Sequence, residues 1–350
     1  MFRKYDWVFW GDNQGWSIDH DGVKTLHVLH EIYSLSCLTL KKSNFLTRTK
    51  ILHFGSLSVF NDPTKIRRII FDNIVLTIFH GYKGMSEKTD RKIDLIIKRQ
   101  SSISWVVVSC EFMKRRLINY GFPKHKIRLI PVGVDSRLYT SFPFNKRAKI
   151  RSKLCIPDNV FVIGSFQKDS PGWGDSTDPK LIKGPDIFIK VLEQFKNKSE
   201  LFVLLTGYSR GYMKKELDRL EIPYRHDILK TPDEIIEYYN IIDCYLVTSR
   251  EEGGPKAVVE AISIGTPLIS TRVGIVPDIE KDFPNEFFYT NIDDVDEISK
   301  SLNKVYQNYT FKKNKGLVSS IKYSSELKNR FDWTIVAKDY FEIYRELYEE

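Results

Sequence analysis

The string SREEGGPKAVVEAISIGTPLIS (249–270) holds the residues whose types and spacing best suit chemistry. Pro255 suits the first turn of a helix, where its missing N–H would lack a partner anyway, and Gly265 followed by Pro267 ends that helix. Immediately before it, Glu252, Gly253 and Gly254 set a carboxylate and bare backbone against the open amide end of the helix. There the helix dipole favours an anion such as a diphosphate, and glycine lets a ligand come close to the backbone. Glu260 lies two turns further in, too deep to cap, and a carboxylate accepting two hydrogen bonds is what a ribose diol requires. The residues alone leave a second reading open, with Glu252 a surface loop acid and Glu260 an exposed helix residue paired with Lys256 one turn earlier.

Two further features bear on chemistry. His80 closes the apolar run NIVLTIFHG (73–81), at the carboxyl end where an open parallel sheet places its ligands; an ordinary core histidine is the alternative. The acidic group Asp293, Asp294 and Asp296 opens a helix and reads as charge compensation at its N-terminus, not as a metal site beside a strand end.

Positioning these residues requires a particular architecture. In the first half, short β-branched or aromatic runs, YDWVFWG (5–11), TKILHFGSL (49–57), NIVLTIFHG (73–81), ISWVVVS (103–109) and KIRLIPVGVD (126–135), alternate with helix-length segments. Such runs indicate a parallel sheet covered on both faces. Ser109 suits the cap of a helix that Gly121 and Pro123 stop. The polar, basic stretch 141–159 reads as an interdomain linker. A second series follows, NVFVIGSF (159–166), ELFVLLTG (200–207), IDCYLVTS (242–249) and TPLIST (266–271), with helices from Pro185 to Phe195, near 211–220 and from Pro255. This predicts a second doubly wound α/β domain. FDWTIVAKDYFEIYRELYEE (331–350) has helical spacing and enough length to cross back over the first domain.

With 350 residues and 42% apolar side chains the chain can bury sizeable cores, which excludes a stapled mini-domain or a disordered tail. No uncharged apolar run approaches the roughly 18 residues of a membrane span, and MFRKYDWVFWGDNQ lacks a signal-peptide core, so an unexported protein is expected. Cys37, Cys110, Cys155 and Cys244 are widely spaced and read as buried, reduced thiols that offer neither a disulfide framework nor a zinc site. The net charge of +9 is uneven: residues 1–150 carry 26 basic against 12 acidic side chains, and residues 151–350 carry 28 against 33. Nucleic acid, anionic lipid and phosphorylated substrates all suit the basic half, but its basic runs carry no RNA-binding aromatic motif and no nucleic acid is expected.

EEGGPKAVVEA resembles the E-x7-E signature (Glu252 to Glu260) of family 4 retaining glycosyltransferases, the glycosyl transferases group 1 with the GT-B fold. Residues 106–135 resemble the segment that closes that family's acceptor domain, 162–195 the opening of its donor domain, 226–249 its base-binding strand and following helix, and FDW (331–333) its closing segment. The resemblance implies two Rossmann-like domains facing a central cleft: 1–145, with the helix of about 332–350 crossing back, and 155–331. It implies transfer of a sugar from a nucleotide-diphosphate donor, a UDP- or GDP-sugar, to a saccharide or lipid-linked saccharide, with retention and without a metal. The same fold also serves phosphorylases, epimerases and non-catalytic nucleotide-sugar binders.

By this resemblance Glu260 holds the ribose, and Glu252 holds the donor sugar. Gly253, Gly254, Pro255, Lys256 and Ala257 present backbone to sugar and phosphates. Lys168 and Lys183 neutralise the departing diphosphate, although this chain has Gly164-Ser165 where the family often has Gly-Arg. Backbone at Ile228 and Leu229 meets the base, and His80 lies near the donor sugar. Gly15, Trp16 and Asp19, with His20, occupy the acceptor-facing loop, where they either contact an acceptor or merely order the chain. A role in polysaccharide biosynthesis at the cytoplasmic face of an anionic membrane fits the basic first half.

Overall fold

The computed structural model describes residues 3–11, 17–40, 47–60, 66, 68–172, 174–315 and 320–349. The chain forms two compact units, one of residues 1–133, 252–256 and 329–350, the other of residues 134–251 and 257–328.

The first unit is built on six parallel strands, β1 (Arg3–Trp10), β2 (Cys37–Leu40), β3 (Thr47–Phe54), β4 (Ile69–Thr77), β5 (Trp105–Val108) and β6 (Ile127–Leu129), in the order β2-β1-β3-β4-β5-β6. Helices α1 (Ser17–Tyr33), α2 (Glu87–Lys98), α3 (Glu111–Asn119) and α12 (Trp333–Glu349) cover it. One core joins Trp7, Ile51, Val75 and Val107 of the strands to Trp333, Val336, Tyr340 and Ile343 of α12, which packs beside α1. The final helix is amphipathic because it fills this face.

The second unit has strands β7 (Phe161–Ser165), β8 (Leu201–Thr206), β9 (Tyr224–Asp227), β10 (Cys244–Val247), β11 (Leu268–Thr271) and β12 (Phe288–Thr290), all parallel, in the order β12-β11-β10-β7-β8-β9. Its helices are α4 (Phe144–Lys153), α5 (Pro185–Gln194), α6 (Gly211–Arg219), α7 (Ile235–Ile241), α8 (Lys256–Ile264), α9 (Val276–Asp282), α10 (Val295–Asn314) and α11 (Ser325–Arg330), the first residue of α8 and the last two of α11 packing with the first unit. In each sheet the order reverses once, between β1 and β3 and between β7 and β10. Loops leave in opposite directions at these points and open a crevice at the carboxyl ends.

Several expectations need correction. The stretch 141–159 is no bare linker, since it contains α4, whose Arg147 and Arg151 reach the buried Asp243. Ser109 does not cap α3; Cys110 stands at that position and makes no side-chain capping bond, and Ser109 Oγ is buried with no hydrogen-bond partner among the described residues. Cys155 is exposed at the end of α4, with a left-handed backbone (φ 54°). His80 lies three residues beyond β4, exposed in the following loop. Three strands escaped the sequence reading, because β2 and β12 are very short and β9, with sequence YRHD, is a half-buried edge strand without an apolar run.

Asp243 accepts from Arg151 Nη2 at 2.6 Å and from the Val162 amide at 2.9 Å, with Arg147 Nη2 at 3.5 Å. Burial pushes the Arg147 guanidinium down to about 10, with Asp243 opposing the shift. Asp243→Ala would strand two guanidiniums in the core, and urea unfolding should show a loss of about 3–5 kcal/mol. The same change at the exposed Asp233 should move the transition little.

Candidate active site

In the second unit the predicted cation Lys183 ends the short helical turn Leu181–Lys183, directly before α5. Gly184 follows with φ 62°, and a Cβ there would run into the Thr248 carbonyl. Thr248 Oγ1 donates to the Gly184 carbonyl at 2.7 Å, so the turn lies flat against the chain leaving β10. Pro185 then occupies the first position of α5, where it sacrifices no hydrogen bond. Lys-Gly-Pro is thus a local code: a left-handed residue without a side chain, followed by a residue already set for helix.

Lys168 lies in the loop after β7, half-buried, and burial pushes its ammonium pKa down. That loop is anchored from below by Arg210. Its fully buried guanidinium meets Asp169 at 2.5 Å and donates to the Ser165 and Thr206 carbonyls and to Ser165 Oγ. The basic group that the family often places after this strand is therefore not replaced here by Arg210, which is spent on structure. Gly164 stands inside β7, where a Cβ would press on Ile242, Phe166 and Tyr245, so the sheet packing requires glycine there. Ile228 and Leu229 follow β9, with Ile228 exposed, and the strand end is fixed by Asp227, which accepts from Arg225 Nε at 2.6 Å and Tyr238 OH at 2.9 Å.

Glu260 is 8% exposed within α8 and accepts a hydrogen bond from Tyr139 OH at 3.3 Å. Tyr239 lies close enough that the carboxylate adds to the upward push burial gives its phenol. The alternative of an exposed Glu260 paired with Lys256 fails, because the Lys256 ammonium turns away to Asp21 and, at 3.2 Å, to His20 Nδ1. Tyr139 and Asp21 carried no signal in the sequence, since each acquires its partner only through folding.

Residues Glu252–Lys256 pack with the first unit. A Cβ on Gly253 would run into the Phe79 backbone, and one on Gly254 would lie 2.9 Å from Ser109 Cβ and Oγ. The glycines therefore bring this segment to the carboxyl ends of β4 and β5, beside the loop that carries His80. Asp19 lies in the first turn of α1 against Gly11; Gly15 and Trp16 fall outside the described residues.

A cavity behind this segment is lined by Asp21, Thr25, His53, Thr77, Phe79 and Trp333 among others. Burial raises the Asp21 carboxyl while Lys256 opposes the rise. His53 is pushed down to about 3 by burial and is neutral. Trp7 Nε1 donates to His53 Nδ1 at 3.3 Å, so the ring proton sits on Nε2, 2.7 Å from Thr77 Oγ1. Asp294 caps α10 by accepting from the Glu297 amide at 2.9 Å, and Asp293 pairs with Arg250; no cluster able to hold a metal occurs among the described residues. No helix of the described residues is long and apolar enough to cross a membrane.

Residues 179–322 match the family glycosyl transferases group 1. A D-inositol 3-phosphate glycosyltransferase of Corynebacterium jeikeium is 28% identical over 165 residues, 43% of this chain and 36% of the relative. An alpha-galactosylglucosyldiacylglycerol synthase of Streptococcus pneumoniae is 26% identical over 47% of this chain and 42% of its own. The chain thus spans less than half the length of these curated relatives. Among solved structures, Anabaena Alr3699/HepE in complex with UDP-glucose superposes with a TM-score of 0.71 at 16% identity, covering 97% of this chain and 99% of that one. A glycosyltransferase from Rickettsia africae ESF-5 gives 0.70 at 15% identity, with both chains fully covered.

Gly184→Ala tests the turn that carries Lys183. The left-handed backbone alone costs about 1–2 kcal/mol with a β-carbon, and displacement of the Thr248 carbonyl adds to it. Chemical denaturation should show a loss beyond that range, whereas Gly174→Ala, where no atom lies within 4 Å of the new methyl, should be close to neutral.

Proposed function

From a chain of GT-B fold that belongs over residues 179–322 to the glycosyl transferases group 1, we propose a retaining glycosyltransferase that moves a sugar from a nucleoside diphosphate to an acceptor hydroxyl. The observation that carries this reading is the pair Glu252 and Glu260 across the start of α8, the first before two close-packed glycines, the second buried and bonded to Tyr139. A carboxylate buried against tyrosine hydroxyls, at a depth where ribose hydroxyls reach it, is costly to keep for stability alone. Ribose hydroxyls then take the place that the Tyr139 hydroxyl holds in the free protein.

In this reading Glu252 and the amides of Gly254, Lys256 and Ala257 hold the donor sugar and phosphates, while backbone at Ile228 and Leu229 meets the base. Lys183 and Lys168 face the diphosphate, on which negative charge grows as the anomeric C–O bond breaks. The acceptor hydroxyl attacks from the face the diphosphate is leaving and passes its proton to a phosphate oxygen. His80, at the sheet edge beside Gly253, contacts the donor sugar, and no metal is required. The UDP-bound state of the Anabaena structure favours a UDP-sugar among the candidates. The relatives' names, one an inositol phosphate enzyme and the other a glycolipid synthase, favour an anionic or lipid-linked acceptor. The excess of basic residues in the first 150 suits both, and suits attachment to an anionic membrane face.

Thermal-shift screening against UDP-, GDP-, ADP- and dTDP-sugars should raise the melting temperature for one nucleotide, because a ligand that binds only the folded state stabilises it. Glu260→Ala should weaken that donor about tenfold to a hundredfold, the worth of one or two hydrogen bonds to a charged group, and Glu252→Ala should abolish transfer. Unchanged affinity and turnover in both variants would overturn the assignment.

A further inference from the structure

The turn that carries Lys183 is held with more donors than a surface turn requires. The Leu181 carbonyl accepts from Arg250 Nη1 at 2.6 Å. The Ile182 carbonyl accepts from the amides of Arg250 and Glu251 at 2.9 and 3.2 Å. The Lys183 carbonyl accepts from Gln167 Nε2 at 3.1 Å, and the Gly184 carbonyl from Thr248 Oγ1. Four consecutive carbonyls are thus engaged from outside the turn, by the loops that leave β7 and β10 on either side of the point where the sheet order reverses.

Both side chains are themselves fixed. Arg250 makes a two-pronged contact with Asp186 in the first turn of α5, Nη1 at 2.8 Å and Nη2 at 2.7 Å, and its Nε meets Asp293 at 2.7 Å. That fork geometry belongs to arginine and not to lysine. Gln167 accepts at its side-chain oxygen from Ser249 Oγ at 3.3 Å, and its own carbonyl accepts from the buried Arg210. A three-residue 3₁₀ turn has poor internal hydrogen-bond geometry and no stability of its own, and a lysine side chain has many rotamers to lose. Fixing the backbone under Lys183 is therefore the way this unit can aim a flexible ammonium.

We propose that Gln167 and Arg250 are positioning residues for Lys183, clamping its backbone so that the ammonium meets the outer phosphate of a nucleoside diphosphate. The proposal rests on the donor reading of Lys183 given above. It assigns work to two residues that touch no ligand themselves, and it predicts that they act only through the lysine.

The test uses the full chain with Gln167→Ala, Arg250→Met, Arg250→Lys, Lys183→Ala and the double variant Lys183→Ala/Arg250→Met. Amide hydrogen exchange is followed in peptides covering 181–187 and 248–252, and calorimetry measures UDP against UMP, GDP against GMP and ADP against AMP. Gln167→Ala and both Arg250 variants should speed exchange in the turn at unchanged melting temperature. They should weaken the diphosphate about tenfold while leaving the monophosphate within about twofold, and the double variant should bind no worse than Lys183→Ala, the non-additivity of residues acting as one unit. Arg250→Lys keeps the charge and loses the fork, so its recovery of full affinity would overturn the clamp. Additive losses in the double variant, or unchanged exchange in the turn, would overturn it as well. A wild-type chain that binds none of the diphosphates would sink the donor reading, and the exchange result alone would then uphold or overturn the clamp.

Discussion

A parallel sheet sends every strand's carboxyl end to the same edge, and each unit of this protein depends on that constraint. Parallel strands need crossovers, most of those described here carry helices, and such helices begin where strands end, so open amide ends collect at one rim. Reversal of strand order then parts two of the loops. In the second unit the residues so placed are Gln167 after β7 and Thr248 to Glu251 after β10; in the first they are the start of α1 and the loop beyond β3. Fold and chemistry are linked at this rim more than within the sheets, whose interior is mostly apolar.

Charge is handled differently in the two places. Inside, Asp243 with Arg147 and Arg151, and Arg210 with Asp169, are fully engaged with partners and with backbone carbonyls. They fasten loops to strands and have nothing left to offer a ligand. At the rim, Glu260 is buried to the same degree and accepts from the Tyr139 hydroxyl. A hydroxyl can be exchanged for another hydroxyl at small cost, whereas a cation cannot be surrendered without stranding its partner. In the donor reading proposed above, this suits Glu260 to exchanging a tyrosine hydroxyl for a ribose hydroxyl.

Much of the architecture was legible in the sequence because long apolar runs and glycine-proline punctuation are local signals. The helix after Pro255, its stop at Gly265, the helix from Pro185 and the final amphipathic helix all follow from neighbouring residues. What the sequence hid depends on partners far along the chain. Nothing near Lys256 announces Asp21, and nothing near Glu260 announces Tyr139. Edge strands such as YRHD lack the apolar pattern because only one of their sides is covered, and α4 was taken for a linker because its buried arginines look like solvent-facing charge until Asp243 lies beneath them. Gly164 is ambiguous for the opposite reason, since a glycine near a strand end fits both a phosphate and a crowded core.

The last helix gives the chain an order in time. Trp333, Val336 and Tyr340 cover Trp7, Ile51 and Val107, which lie in the first part of the sequence to be made. The second unit lies between them in the sequence, so during synthesis one apolar face of the first sheet is covered only in part, by α1, until about 200 further residues have been added. At ordinary elongation rates that interval is roughly ten to forty seconds, long enough for the second unit to fold in the meantime. A nascent chain of this design needs its first sheet shielded, by a chaperone or by provisional packing, before its final helix emerges.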